Sequence, residues 1–308
     1  MKKRFLQLLF IATTATLTFS SCSKDDDTQV NNSEKTEIRL SSGITTHLRS
    51  SRQNTQIAAG QKVGFFVEDA GAPTSIIYTN TELTADGNGA LNYSPKMFYP
   101  TNGNTVNFYA YHPFGSASDL TTAIPFSVKA DQTAVTDYLN SDLLYSQKIG
   151  VARTSSAELL TFNHKLSKLT FTVKKGEGAS LEGLSAIEIQ NTLPETSLKL
   201  EDGTITAASG TATTIKAFGV PTTVSSTDAE VSGMAAIVVP QTVTTDTELL
   251  KITIGGVSYI YRVPANLDYE SGKVYNYTIT VNMAGIIVTS EIVDWVNGGD
   301  IDGDGTID

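Results

Sequence analysis

Apolar and polar residues alternate one by one along stretch after stretch of this chain, and helical spacing does not recur. A period of two sends successive side chains to opposite faces of a strand, so a chain written this way builds sheets. Residues 62–68 read KVGFFVE and 104–111 read NTVNFYAY, with Val106, Phe108 and Ala110 on one face and Tyr109 and Tyr111 on the other. Residues 166–174 read LSKLTFTVK, with Leu169, Phe171 and Val173 in register, and 273–282 read KVYNYTITVN, with Tyr275, Tyr277, Ile279 and Val281 in register. Residues 249–254 and 257–263 flank Gly255-Gly256, a two-residue hairpin signal. A last strand is predicted over 286–296. Turn formers such as Asp86-Gly87-Asn88-Gly89 and Asp202-Gly203 punctuate these runs. One short helical turn is predicted over 134–140, capped by Asp131. Charged residues make up only 18 % of the chain, which argues against long salt-bridged helices. Closely spaced strands without intervening helices point to an all-β protein of sandwiches, with a boundary near Asn163-His164-Lys165.

The N-terminus carries an address. Lys2, Lys3 and Arg4 precede an apolar run from Phe5 to Phe19, then Ser20-Ser21-Cys22. The run is shorter than the ~20 residues of a spanning helix and has the flanks of a secretory segment. It resembles a bacterial lipoprotein signal, lipidated at Cys22 and cleaved just before it, with Phe19 where that signal favours Leu. An ordinary secretory signal with an incidental cysteine is the alternative. Ser23-Lys24-Asp25-Asp26-Asp27 follows, similar to the export signal of surface-exposed lipoproteins and equally readable as a solvated tether. Cys22 is the single cysteine of the 308 residues, so no disulfide forms within the mature chain.

Net charge is −10, without a basic patch, which excludes nucleic acid as an expected partner. His47, His112 and His164 lie far apart, and His112 reads as a hydrogen-bonded structural residue. Asp119, Asp137, Asp142, Glu158 and Glu182 stand isolated, and no G-x-S-x-G elbow, P-loop or H-E-x-x-H is present. No enzyme is expected. Asp300, Asp302, Asp304 and Asp308, with Gly305 at the sixth position, follow the first part of a calcium loop but lack its twelfth-position Glu. The tail reads either as a weak Ca²⁺ site or as a solvated acidic segment; no other cofactor is expected.

The order of GQKVGFFV, YPTNGNTVNFYAYHPF, DLLYSQ, LTFNHKLSKLTFTV, AAIVVPQTV, GKVYNYTITVN and SEIVDW resembles the fimbrillin family of pilus subunits in anaerobic Gram-negative bacteria. The resemblance implies two tandem transthyretin-like Greek-key β-sandwich domains. It also implies export as an outer-membrane lipoprotein, trimming by an Arg-specific protease, polymerisation with other subunits by strand exchange, and adhesion to host or bacterial surfaces. The expected organisation is a signal over 1–21, a tether over 22–35, a first domain over 36–164 with a removable segment at 36–52, a second over 165–296, and a tail over 297–308.

A sandwich lacking one strand exposes unpaired backbone and an apolar groove that a donated strand can fill. Residues 36–42 read TEIRLSS, with Ile38 and Leu40 alternating, as expected of a first strand that serves as a plug. Arg49 and Arg52 follow in TTHLRSSRQ as candidate cleavage sites, or as ordinary surface arginines. Residues 285–296 read GIIVTSEIVDWV and are apolar on both faces, which predicts a strand buried on both sides, within its own domain or inside a neighbour. A surface glycan-binding lipoprotein, stacking sugars on Tyr109, Tyr111, Tyr259, Tyr261 and Trp295, is the second functional reading.

Overall fold

The computed structural model describes residues 35–44, 56–71 and 75–295. The first part of the chain runs through β1 (Arg39–Ile44), β2 (Lys62–Asp69), β3 (Ile76–Ala85), β4 (Ala90–Asn92), β5 (Val106–His112), β6 (Ile124–Ser127), α1 (Val135–Asn140), β7 (Leu144–Val151) and β8 (Ala157–His164). Seven of these strands close into a barrel in the order β1-β4-β3-β2-β5-β7-β8. Its core holds Phe65, Phe108 and Phe162, with the Phe65 and Phe108 rings 5.2 Å apart. The expected first sandwich is therefore closed at one side. Register shifts between β2 and β3, and between β5 and β7, bend the sheet, and β1 spans the remaining gap. Every residue of β5 is buried, because Val106, Phe108 and Ala110 face the barrel core while Tyr109 and Tyr111 join the second core.

The chain continues through β9 (Ser167–Lys175), β10 (Leu184–Thr192), β11 (Glu195–Leu198), β12 (Thr213–Lys216), β13 (Glu230–Val238), β14 (Thr242–Val243), β15 (Glu248–Ile254), β16 (Val257–Arg262), β17 (Leu267–Asp268), β18 (Lys273–Asn282) and β19 (Gly285–Asp294). Two four-stranded sheets, β12-β10-β15-β16 and β13-β9-β18-β19, bury their apolar faces in one shared core. Tyr275, Tyr277, Ile279 and Val281 of β18 all enter it, as their alternation predicts. The β15–β16 hairpin turns on Gly255 and Gly256, whose φ angles of +55° and +79° place both residues in the left-handed region that glycine favours.

The barrel and the paired sheets are stitched together by backbone. Strand β6 pairs with β11 over four residues. The buried Gln132 amide donates to Ile237 O and accepts from Ile237 N, both at 2.8 Å, and Tyr145 Oη donates to Leu200 O at 2.7 Å. The described residues form one compact unit with two hydrophobic cores. Helix α1 corrects one expectation: its N-cap is Ala134, which makes no side-chain cap. Asp131 sits too early to reach the helix and instead accepts the Thr133 N–H at 3.1 Å.

Candidate assembly site

Among the described residues, strand β1 is the one element that joins the two ends of the barrel sheet. On one side it runs parallel to β8, from Arg39 opposite Ala157 to Ile44 opposite Phe162; on the other it pairs antiparallel with β4, Leu40 opposite Leu91. The pairing extends upstream, where Ile38 N donates to Met97 O and Tyr99 N to Thr36 O at 2.9 and 3.0 Å. Ile38, Leu40, Ser42 and Ile44 point inward and are buried. Arg39 is exposed, and Ser41 and Gly43 are half-buried. Removing this strand would leave β4 and β8 with unpaired backbone along a groove floored by the barrel core, the liability that makes an open edge a template for another chain.

Strand β19 is the opposite case. It pairs with β18 alone, Lys273 opposite Asp294 through Asn282 opposite Gly285, and borders its sheet. Ile287 is 60 % exposed and Ile292 53 %, so the expected burial on both faces does not occur within the chain's own fold. Ile287, across from Thr280, lies on the face turned away from the core that Tyr275, Tyr277 and Ile279 enter, while Ile292, across from Tyr275, lies on the core face but at the border of the sheet, with no strand beyond β19 among the described residues. Strand β16 likewise borders its sheet, with Val257 and Ile260 exposed.

Residues 49–295 match the sequence profile described as fimbrillin-like. The chain belongs to the fimbrillin-like family. This fimbrillin-like chain is also 26 % identical over 306 residues to a Bacteroides uniformis protein provisionally named fimbrium subunit Fim1C, covering 95 % of this chain and 96 % of that one. Two solved structures share its fold. A protein from Bacteroides ovatus, provisionally titled a cell adhesion protein, superposes with a TM-score of 0.67 at 20 % identity, over 86 % of this chain and 99 % of that one. A similarly titled protein from Bacteroides uniformis gives 0.62 at 21 %, over 84 % and 98 %.

The remaining residues singled out in the fimbrillin-like sequence are dispersed. Cys22, His47, Arg49, Arg52, Asp300, Asp302, Asp304 and Asp308 lie outside the described residues. His112 is fully buried, its Nδ1 2.8 Å from Lys62 O and its Nε2 3.3 Å from Leu139 O, and burial lowers its pKa. Asp119 spends its carboxylate on Ser118, Thr121 and Thr122, whose donors hold it well below the usual carboxylate range. Among the described residues, no group of three or more His, Cys, Asp or Glu is placed to hold a metal. Tyr109, Tyr111 and Trp295 are buried, whereas Tyr259 and Tyr261 are half-buried on β16, so these five aromatics do not share a surface platform.

The fold also assembles a buried polar cluster that spacing alone did not suggest. Asp142 Oδ1 lies 2.8 Å from His164 Nδ1, the His164 ring stacks on Trp295 at 3.5 Å, and Lys168 Nζ lies 5.7 Å from the Trp295 ring. Burial pushes the Lys168 ammonium down to about 8, against an opposing pull from Asp142. The cluster anchors the end of β19, where Trp295 N also donates to Gly272 O at 2.6 Å.

Proposed function

We propose that this chain is a structural subunit of a surface fimbria, exported as a lipoprotein through Cys22 and polymerised by strand exchange in the service of adhesion. The observation that carries this reading is the position of β1, which alone bridges β4 and β8. Arg49 and Arg52 fall in chain order between Ile44, the end of β1, and Ile57, the next buried residue. A cut after either arginine severs β1 and the proposed lipidated head together and interrupts no other strand among the described residues. Once β1 leaves, the barrel regains its missing pairing by accepting a strand from another subunit. The name of the Bacteroides uniformis relative supports a fimbrial role.

Glycan stacking has weaker support, because three of its five candidate aromatics are buried. No helix among the described residues is long and apolar enough to cross a membrane. The test is to treat the purified full chain with an Arg-specific protease, sequence the new N-terminus and run the product on SDS gels without boiling. A start just after Arg49 or Arg52 with a ladder of multimers is expected. A trimmed, folded chain that stays monomeric at high concentration would refute the proposal.

A further inference from the structure

We propose that a cavity on the outer face of the barrel is a docking pocket for an arginine side chain presented by a partner protein, with the Glu68 carboxylate at its base. None of the residues lining it belongs to β1 or β19, so it is independent of strand exchange.

Strand register builds the floor. Ile76 of β3 lies opposite Glu68 of β2, and Glu68 opposite Asn107 of β5, so the three side chains form one row across the sheet. Phe66 and Tyr109, two positions along their strands from Glu68 and Asn107, pack in the second core, so this row faces away from the barrel interior. Glu68 is only 8 % exposed there. Its Oε2 accepts from Asn107 Nδ2 at 2.9 Å and from Tyr109 Oη at 3.2 Å. The amide is held in that orientation, because Asn107 Oδ1 accepts the Gly150 N–H at 2.9 Å.

Both of these partners are neutral. Among the described residues no lysine, arginine or histidine pairs with Glu68, and its Oε1 has no hydrogen-bond donor. A carboxylate so deeply placed without an opposite charge is costly, and a cation brought to it recovers that cost. The cavity over Glu68 is open to deliver one. It holds about 620 Å³, within the range of ligand pockets.

The remaining lining selects the kind of cation. Ile76, Leu120 and Ile149 supply apolar walls, along which the methylene stem of a long basic side chain can lie. Asp119 and Glu201 add carboxylates away from the base. Donors from Ser118, Thr121 and Thr122 hold Asp119 well below the usual carboxylate range, and Glu201 N donates to Leu120 O at 2.8 Å, which ties the two loops together. Glu201 contributes less, because Lys199 already faces it at 2.7 Å. These carboxylates are not grouped as metal ligands. A long cation that touches separate acidic points suits them better than an ion. Guanidinium presents five donors in a planar fork that meets a carboxylate with two bonds, and it is more weakly hydrated than an ammonium, so it is the easier cation to bury. The cavity is larger than one side chain, which leaves room for the backbone that carries it. The net charge of −10 draws a basic partner toward this face.

The test titrates the purified full chain, by calorimetry, with acetyl-Ser-Gly-Arg-Gly-Ser-amide and with the same peptide carrying citrulline, the neutral isostere, in place of arginine. The arginine peptide is expected to bind about tenfold or more tightly than the citrulline peptide. Glu68→Gln is expected to weaken it by about the same factor without lowering the melting temperature, because that change removes an uncompensated buried charge. Glu195→Gln, which removes one charge from exposed β11, is expected to leave the affinity unchanged. Equal affinities for the two peptides overturn the pocket, a comparison that needs no variant. Parent affinity in Glu68→Gln overturns it as well, and an accompanying fall in melting temperature would assign Glu68 to holding Asn107 and Tyr109 in place. Spermidine binding more tightly than the arginine peptide would overturn the assignment to a partner protein.

Discussion

The barrel and the paired sheets of this chain treat their edges in opposite ways. The barrel has none, because β1 sits between β4 and β8 and supplies both with partners. The paired sheets end openly at β16 and β19, which carry Val257, Ile260, Ile287 and Ile292 into solvent. Yet β1 and β19 present nearly the same apolar series. Alternation alone therefore states which side chains a strand can bury, and the number of neighbours decides whether it does. The barrel is closed by a strand of six residues, whereas β19 leaves its sheet bordered by a strand with exposed isoleucines.

The most forceful way to break this comparison is to shorten one core-facing aliphatic side chain on each strand. Leu40→Ala on β1 is expected to cost about 3 kcal/mol in urea unfolding, since a nearly fully buried leucine leaves a cavity. Ile292→Ala on β19, half exposed, is the smallest effect expected, below about 1 kcal/mol. Equal costs would mean that β19 is as well packed as β1, and the contrast would fall.

Between these extremes, the junction sharpens the picture. Gln132→Ala removes both hydrogen bonds to Ile237 in a buried site and should cost roughly 2–3 kcal/mol by the same assay, because the Ile237 backbone loses its partners. A somewhat smaller effect comes with pH. Burial lowers the Lys168 pKa to about 8 from its ordinary 10.5, so between those values the unfolded chain holds more protons than the folded one. Relative to Lys168→Met, stability should then rise with pH, by about 1.5 kcal/mol from about pH 8 to about pH 9.5, as the penalty for a buried ammonium is relieved. The buried tyrosines, whose pKa values burial raises, pull both curves down toward the upper end and cancel in that difference. A difference between the two chains that stays flat or falls across this window would contradict the assignment of Lys168 as a buried cation beside Asp142 and Trp295.

Much of this was legible in the sequence where burial is one-sided and turns are marked. Strand β18 shows its four core residues by strict alternation, and Gly255-Gly256 marks the β15–β16 hairpin. Strand β3 was not legible, because its Thr and Asn residues are only partly buried and its pairing with β2 is interrupted by shifts. Strand β13 was missed for the opposite reason: Met234 through Val238 are all buried, so no alternation survives. For the candidate site, Ile38 and Leu40 mark β1 as a strand by their alternation, but its second partner is the three-residue β4, too short to carry a pattern. The Gln132 clamp and the His164–Trp295 stack join residues more than a hundred positions apart, and nothing local signals them. The two-sided apolarity of β19 predicts cover on both faces, and the described residues do not supply it.

The most direct test of a barrel closed by a replaceable strand is hydrogen exchange on β4 and β8, followed on the full chain, on the freshly trimmed chain at low concentration, and on the assembled material. The account expects amides of residues 89–92 and 157–162 to lose protection on trimming and to recover it on assembly. Unchanged protection of β4 and β8 after β1 has been cut away and washed out would contradict it.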